Sequence, residues 1–127
     1  KLALGLEYPD YTISGFVRIS FDRIGVLDQS KATRPNPSDS KTGVSTTPTL
    51  YWAEAFQSTS RDVYFGSTFA DVNDANTLSP AFKTNTTGYE YSPSSLSTSS
   101  TYHWRIDERN ADGVMGKGDV WSFTTTP

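Results

Sequence analysis

The stretch "TYHWRIDE", residues 101–108, constrains the fold more than any other part of the chain. Tyr102, Trp104 and Ile106 recur at every second position, with His103, Arg105 and Asp107 between them. A period of two belongs to an extended strand, whose successive side chains point to opposite faces. The aromatic row is expected to face a core and the polar row to face solvent. "GDVWSFTTT" repeats the pattern, with Trp121 and Phe123 inward and Val120 and Ser122 outward. "PTLYWAEA" sets Leu50 and Trp52 on one face, and "RDVYFGS" sets Val63 and Phe65 against Asp62 and Tyr64. "TGYEYSP" brings Tyr89 and Tyr91 together, while "FADVNDANTLSPAF" reads as a loop with room for one helical turn. No long stretch carries apolar residues at i, i+3, i+4 and i+7. Short aromatic and β-branched runs bounded by Gly, Pro, Asn, Asp and Ser predict an all-β sandwich.

Composition narrows the partners. The 127 residues suit one domain, or one domain with a fragment, and 13% of them are aromatic, so few but large side chains build the core. A net charge of −3 and a pI near 5.0 supply no basic stripe for nucleic acid. No apolar run approaches the roughly 20 residues that cross a bilayer as a helix. Cysteine is absent, which excludes disulfides, thiolate zinc sites and a cysteine nucleophile. The Ser-, Thr-, Asn- and Gly-rich surface leans towards an extracellular setting. With no initiating Met and no signal peptide at Lys1, the chain is expected to be a piece of a longer one.

Residues 1–30 differ from the rest of the chain. "LALGLEY" and "TISGFVRISFDRIGVLD" read as two strands joined by the turn "YPDY", with Val17, Ile19 and Phe21 on one face and Phe16, Arg18, Ser20 and Asp22 on the other. Two strands alone are marginally stable. They are expected to be a β-hairpin remnant of a preceding module, or to pack on the next one. "QSKATRPNPSDSKTG", residues 29–43, has the composition of an extended linker, and the module proper is expected over residues 31–127.

The phrases "TPTLYW", "DVYFG", "LSTSSTYHWRIDERNADG" and "GDVWSFTT", in that order, resemble a fibronectin type III-like (immunoglobulin-like) domain of the kind repeated in large secreted bacterial multi-domain proteins. The resemblance spans about Ala32 to Thr125. It implies that Trp52 is the core tryptophan of the second strand. Leu96 and Tyr102 would form the tyrosine corner, the phenol bonding back to upstream backbone. "WSFTT" would be the closing strand. Trp104 departs from the pattern, since such modules usually carry a smaller aliphatic residue there. Trp52 and Trp104 would come from opposite sheets and pack together, their indole N–H groups needing buried acceptors or an edge position. "FVRISFDRIGVLD" resembles the closing strand of a jelly-roll or laminin-G-like carbohydrate-binding module.

Several residues invite a chemical reading. His103, Asp107 and Glu108 have the types used for acid–base chemistry or metal binding. On one strand, however, His103 and Asp107 lie roughly 13 Å apart and Glu108 points to the opposite face. A solvated face with an Arg105–Asp62 ion pair is the preferred reading. Asp71, Asn73 and Asp74 in "DVNDAN" offer calcium-type oxygens, against a plain turn in which Asx side chains cap their own backbone. "RNADG", Arg109–Gly113, reads as a hairpin turn, and with "MGKG" forms a loop of the kind that can contact partners. Sugar-binding modules present flat aromatic rows, whereas Trp52, Trp104 and Trp121 all fall on inward faces and Tyr51, Tyr64, Phe69 and Phe82 are scattered. Asn85–Thr87 is a formal glycosylation sequon. No phosphate loop, G-x-S-x-G elbow or H-E-x-x-H motif occurs, and a serine triad would need His103 in mid-strand.

The expectation is therefore a module with no catalytic, cofactor or metal site. It would be a monomeric spacer or accessory unit in a secreted bacterial protein that binds or degrades polysaccharide, its partners being neighbouring modules of the same chain. Two alternatives stay open: a carbohydrate-binding module, and an adhesion or protein-interaction module using the "RNADGVMGKG" and "DVNDAN" loops.

Overall fold

A computed structural model describes residues 31–127 of the chain; the expected hairpin in residues 1–30 lies outside the described residues. The strands are β1 (Thr33–Asn36), β2 (Lys41–Val44), β3 (Leu50–Ala53), β4 (Ser58–Gly66), β5 (Phe82–Thr86), β6 (Glu90–Tyr91), β7 (Thr101–Asn110), β8 (Met115–Gly116) and β9 (Trp121–Thr125). One short helix, α1 (Phe69–Asn73), interrupts them. One sheet has the order β1-β3-β6. The other runs β2-β9-β7-β4-β5, with β8 added to β7. The protein is an all-β sandwich, as the period of two predicts.

The core between the sheets is the expected aromatic row. Leu50, Val63, Trp104, Ile106 and Phe123 are fully buried, and Trp52, Phe65 and Trp121 nearly so. Trp104 meets Trp121 edge-on at 4.8 Å between centroids and lies 6.3 Å from Trp52 across the sandwich. The two sheets therefore meet through indoles, as anticipated, but the polar atoms do not follow the expectation. Neither the Trp52 nor the Trp104 Nε1 has a hydrogen-bond acceptor. An unmatched buried donor costs about 1–3 kcal/mol. Burial of a large indole works against that cost.

At the far end of β7 the Tyr102 hydroxyl accepts a hydrogen bond from the Ser97 N–H at 2.9 Å, and Leu96 packs on the core. The phenol thus bonds to upstream backbone, as the tyrosine corner requires. Thr125 latches the same bend: its hydroxyl donates to the Ser97 carbonyl at 2.6 Å and accepts from the Ser100 N–H.

The linker-like stretch is not a linker throughout. From Thr33 it is built into the sandwich, β1 pairing antiparallel with β3 and β2 pairing parallel with β9. The chain crosses from one sheet to the other through a cis Asn36–Pro37 bond. Pro35 is tolerated because β1 is an edge strand, where a missing N–H need not cost a ladder bond.

Gly118, just before β9, is a position of enforced close approach. Its N–H donates to Asp107 Oδ1 at 3.0 Å, and a Cβ there would overlap the carbonyl oxygen of Ile106. Gly118→Ala is expected to destabilise the fold by about 1–3 kcal/mol, the usual range for overpacking. In urea titrations Gly88→Ala is the matched control, because its Cβ would meet only Thr86 Oγ1, at 3.4 Å. Equal midpoints for the two variants would contradict this role for Gly118.

Candidate functional site

The outer face of β4 and β7 departs most from expectation. Arg105 and Asp107, read as solvent-facing, are 2% and 5% exposed. The cause is the segment between β4 and β5, which folds back over this face. Val72 of α1 and Ala81 pack with Tyr64 into a second small core, against which Phe82 and Val120 rest. The helix starts at Thr68, whose side-chain oxygen accepts from the Asp71 N–H at 3.1 Å. Its signal in the sequence is a Thr-x-x-Asp capping pattern at residues 68–71.

Arg105 anchors this cover. Its Nε and Nη2 donate to the two oxygens of Asp107, each at 2.8 Å. Nη1 donates to the carbonyls of Val72 and Asn73 at 2.6 and 3.1 Å, and Nη2 to that of Ala75 at 2.9 Å. All five N–H groups of the guanidinium are used. Two of the carbonyls it reaches, those of Val72 and Asn73, lie in the last turn of α1, where a helix lacks its own i+4 donors, and the third, of Ala75, lies just past the cap. Its Cζ lies 4.1 Å from the centre of the Tyr64 ring.

The expected Arg105–Asp62 pair does not form. Asp107 takes Arg105, while Asp62 accepts from Asn85 Nδ2 at 2.8 Å and lies 3.5 Å from Arg109 Nε. Asp62 and Asp107 sit directly opposite one another across β4 and β7. Each is ion-paired with a different arginine, Asp107 with Arg105 and Asp62 with Arg109, although Asp62 Oδ2 has no hydrogen bond.

A second buried arginine closes one end of the inner core. Arg61 and Glu108 are opposite residues in the β4–β7 register and are 1% and 2% exposed. Arg61 Nε donates to Glu108 Oε1 at 2.9 Å, and its Nη atoms donate to Thr87, Gly88, Ser58 and Glu54. Glu108 Oε2 accepts the Ala55 N–H at 3.1 Å. Glu108 does alternate away from Asp107, as expected, but into the core, where the period of two leaves an arginine as its partner.

The remaining candidates resolve individually. His103 is half-buried, with the Phe69 ring edge-on at 6.2 Å, and is not brought together with Asp107 or Glu108. Asp71, Asn73 and Asp74 form the body and cap of α1, with Asn73 Nδ2 donating to Asp74 Oδ1 at 3.2 Å. Among the described residues no three acidic or histidine side chains converge as a metal ligand set. Arg109–Gly113 is a turn in which Asn110 Oδ1 accepts from the N–H groups of Asp112 and Val114. Of the scattered aromatics, Tyr64 is buried, Phe82 is half-buried, and Tyr51 on β3 and Phe69 on α1 are exposed. Between α1 and the start of β5 lies an open cleft of about 490 Å³, lined by Gly66, Ser67, Asp71, Asp74, Ser79 and Lys83 among others. Among the described residues no helix is long and apolar enough to cross a membrane. No family model matches the chain, and no curated protein is similar to it at a significant level.

Arg105→Ala would leave Asp107 buried and uncompensated and free the end of α1. Such a loss costs about 3–5 kcal/mol. Chemical denaturation should show it, with faster amide exchange over residues 68–76. A change under about 0.5 kcal/mol, typical of surface sites, would remove Arg105 as the anchor.

The Tyr64 phenol titrates above the usual tyrosine range, first because it is buried, then because Asp107 and Asp62 are near, with Arg105 opposing. Burial also raises Tyr91. A folded-state pKa above the unfolded one means the folded form holds the proton more tightly. The stability this gives is complete below about pH 10 and is lost as pH rises through the folded value. The unfolding free energy should therefore fall on the alkaline side, and less steeply in Tyr64→Phe. An identical alkaline slope in the variant would be inconsistent with this assignment.

Proposed function

We propose that residues 31–127 act as a non-catalytic spacer module, of the fibronectin type III-like kind that the sequence resembles, in a secreted bacterial multi-domain protein acting on polysaccharide. The observation that carries the reading is the path of the chain. Lys31 is tied to Asp119 at 3.0 Å, just before β9 begins. The chain then passes through the sandwich, and the described residues end beyond β9 at its other pole. Lys31 and the far end of β9 lie at opposite ends, separated by the roughly 17 Å that the five extended residues of β9 span. A unit threaded in this way holds the segments on its two sides apart at a set distance. The buried carboxylates support the reading, because Asp62, Asp107 and Glu108 are all engaged in ion pairs that join strands or hold the cover over β4 and β7.

The absence of cysteine makes the test direct. Spin labels on Thr33→Cys and Thr126→Cys should give one narrow distance distribution by pulsed dipolar spectroscopy, unchanged by plant or algal polysaccharides. A glycan array should be flat. A broad or ligand-dependent distribution, saturable glycan binding, or hydrolysis lost on changing His103 or Asp107 would overturn the spacer reading.

A further inference from the structure

The pole at which the chain enters carries two large apolar side chains in solvent. Phe56, in the β3–β4 turn, is 67% exposed, and Val114, in the β7–β8 turn, is 63% exposed. Both line one hollow of about 90 Å³, with Ala55, Arg109, Asn110 and Gly116. The turns that present them are held from within. The Ala55 N–H is bound by buried Glu108, which is in turn held by Arg61, and Asn110 Oδ1 fixes the backbone of Val114. Exposed apolar groups on anchored backbone are ready to be covered without reorganisation.

The register of the sandwich says what lies nearest. Thr33 is opposite Ala53 in the antiparallel β1–β3 pair, so continuing that register sets Lys31 beside Ala55, the neighbour of Phe56. Ala32 is fully buried and Lys31 is tied to Asp119, so the chain is fixed up to this point. The thirty residues that precede it include Leu2, Leu4, Leu6, Tyr8, Ile13, Val17, Ile19, Phe21, Ile24 and Val26. A segment of thirty residues is too short to bury so many apolar side chains within itself and needs another surface to cover them.

We propose that the apolar side chains of residues 1–30 dock on the Phe56–Val114 hollow, making the joint at the entry pole a packed contact. This goes beyond the spacer reading, which the distance between positions 33 and 126 tests separately. The test uses the full 127-residue chain, ¹⁵N-labelled, with one spin label on the exposed turn at Asp112→Cys. Amide signals within residues 1–30 should lose intensity relative to the reduced label. The loss should disappear in the background Phe56→Ser, Val114→Ser, with the amide spectrum of β4 and β7 unchanged. Three results would overturn the proposal: no loss within residues 1–30, a loss that survives the double substitution, or a loss seen only when spin-labelled unenriched chain is mixed with unlabelled ¹⁵N chain. The last would assign the hollow to a second copy.

Discussion

The guanidinium of Arg105 is the interaction on which the outer half of this structure depends. It sits on a strand whose inner face already supplies Trp104 and Ile106 to the core, so β7 is buried on both sides. That burial is tolerable only because every N–H of Arg105 has an acceptor and Asp107 matches its charge. The same group gathers the carbonyls at the end of α1, stacks on Tyr64 and, through Asp107, fixes Gly118 ahead of the closing strand. Arg61 has the equivalent place on the inner side, where its pairing with Glu108 seals the core and positions the β3–β4 turn. Among the described residues, two arginines are thus fully bonded, one on each face of the β4–β7 pair.

Much of this fold is legible in the sequence, for a simple reason. A period of two needs only local information, and the inward set of Leu50, Trp52, Val63, Phe65, Trp104, Ile106, Trp121 and Phe123 comes from it directly. The meeting of Trp52 with Trp104 and the bond from Tyr102 back to Ser97 do not come from alternation; they are what the resemblance to fibronectin type III-like domains implies, and both contacts are present. What alternation cannot tell is whether an outward face stays wet. It places Arg105 and Asp107 on the correct face, yet that face is covered by a segment about thirty positions earlier in the chain. The ion pairing misleads for the same reason. Asp62 suggests itself as the partner of Arg105 because strand neighbours are easy to count, whereas a pair two residues apart on one strand becomes favourable only once the cover is in place.

From Thr33 onward the linker reading fails from a related cause. Proline and small polar residues describe an extended backbone equally well in a tether and in an edge strand, because an edge strand leaves one row of backbone groups unpaired. Composition does not separate the two. The hydrogen bonds from Ser40 to Ser122, and from Thr126 back to Val44, do so.

Those bonds also determine how the sandwich would respond to a stretching force. β2 and β9 lie side by side and parallel, with Lys31 at one pole and the end of β9 at the other. Tension between the poles would slide these strands past each other along their length, so the bonds bridging them would be loaded in shear, together, and not peeled open one after another. The two strands thereby act as a clasp across the long axis of the sandwich.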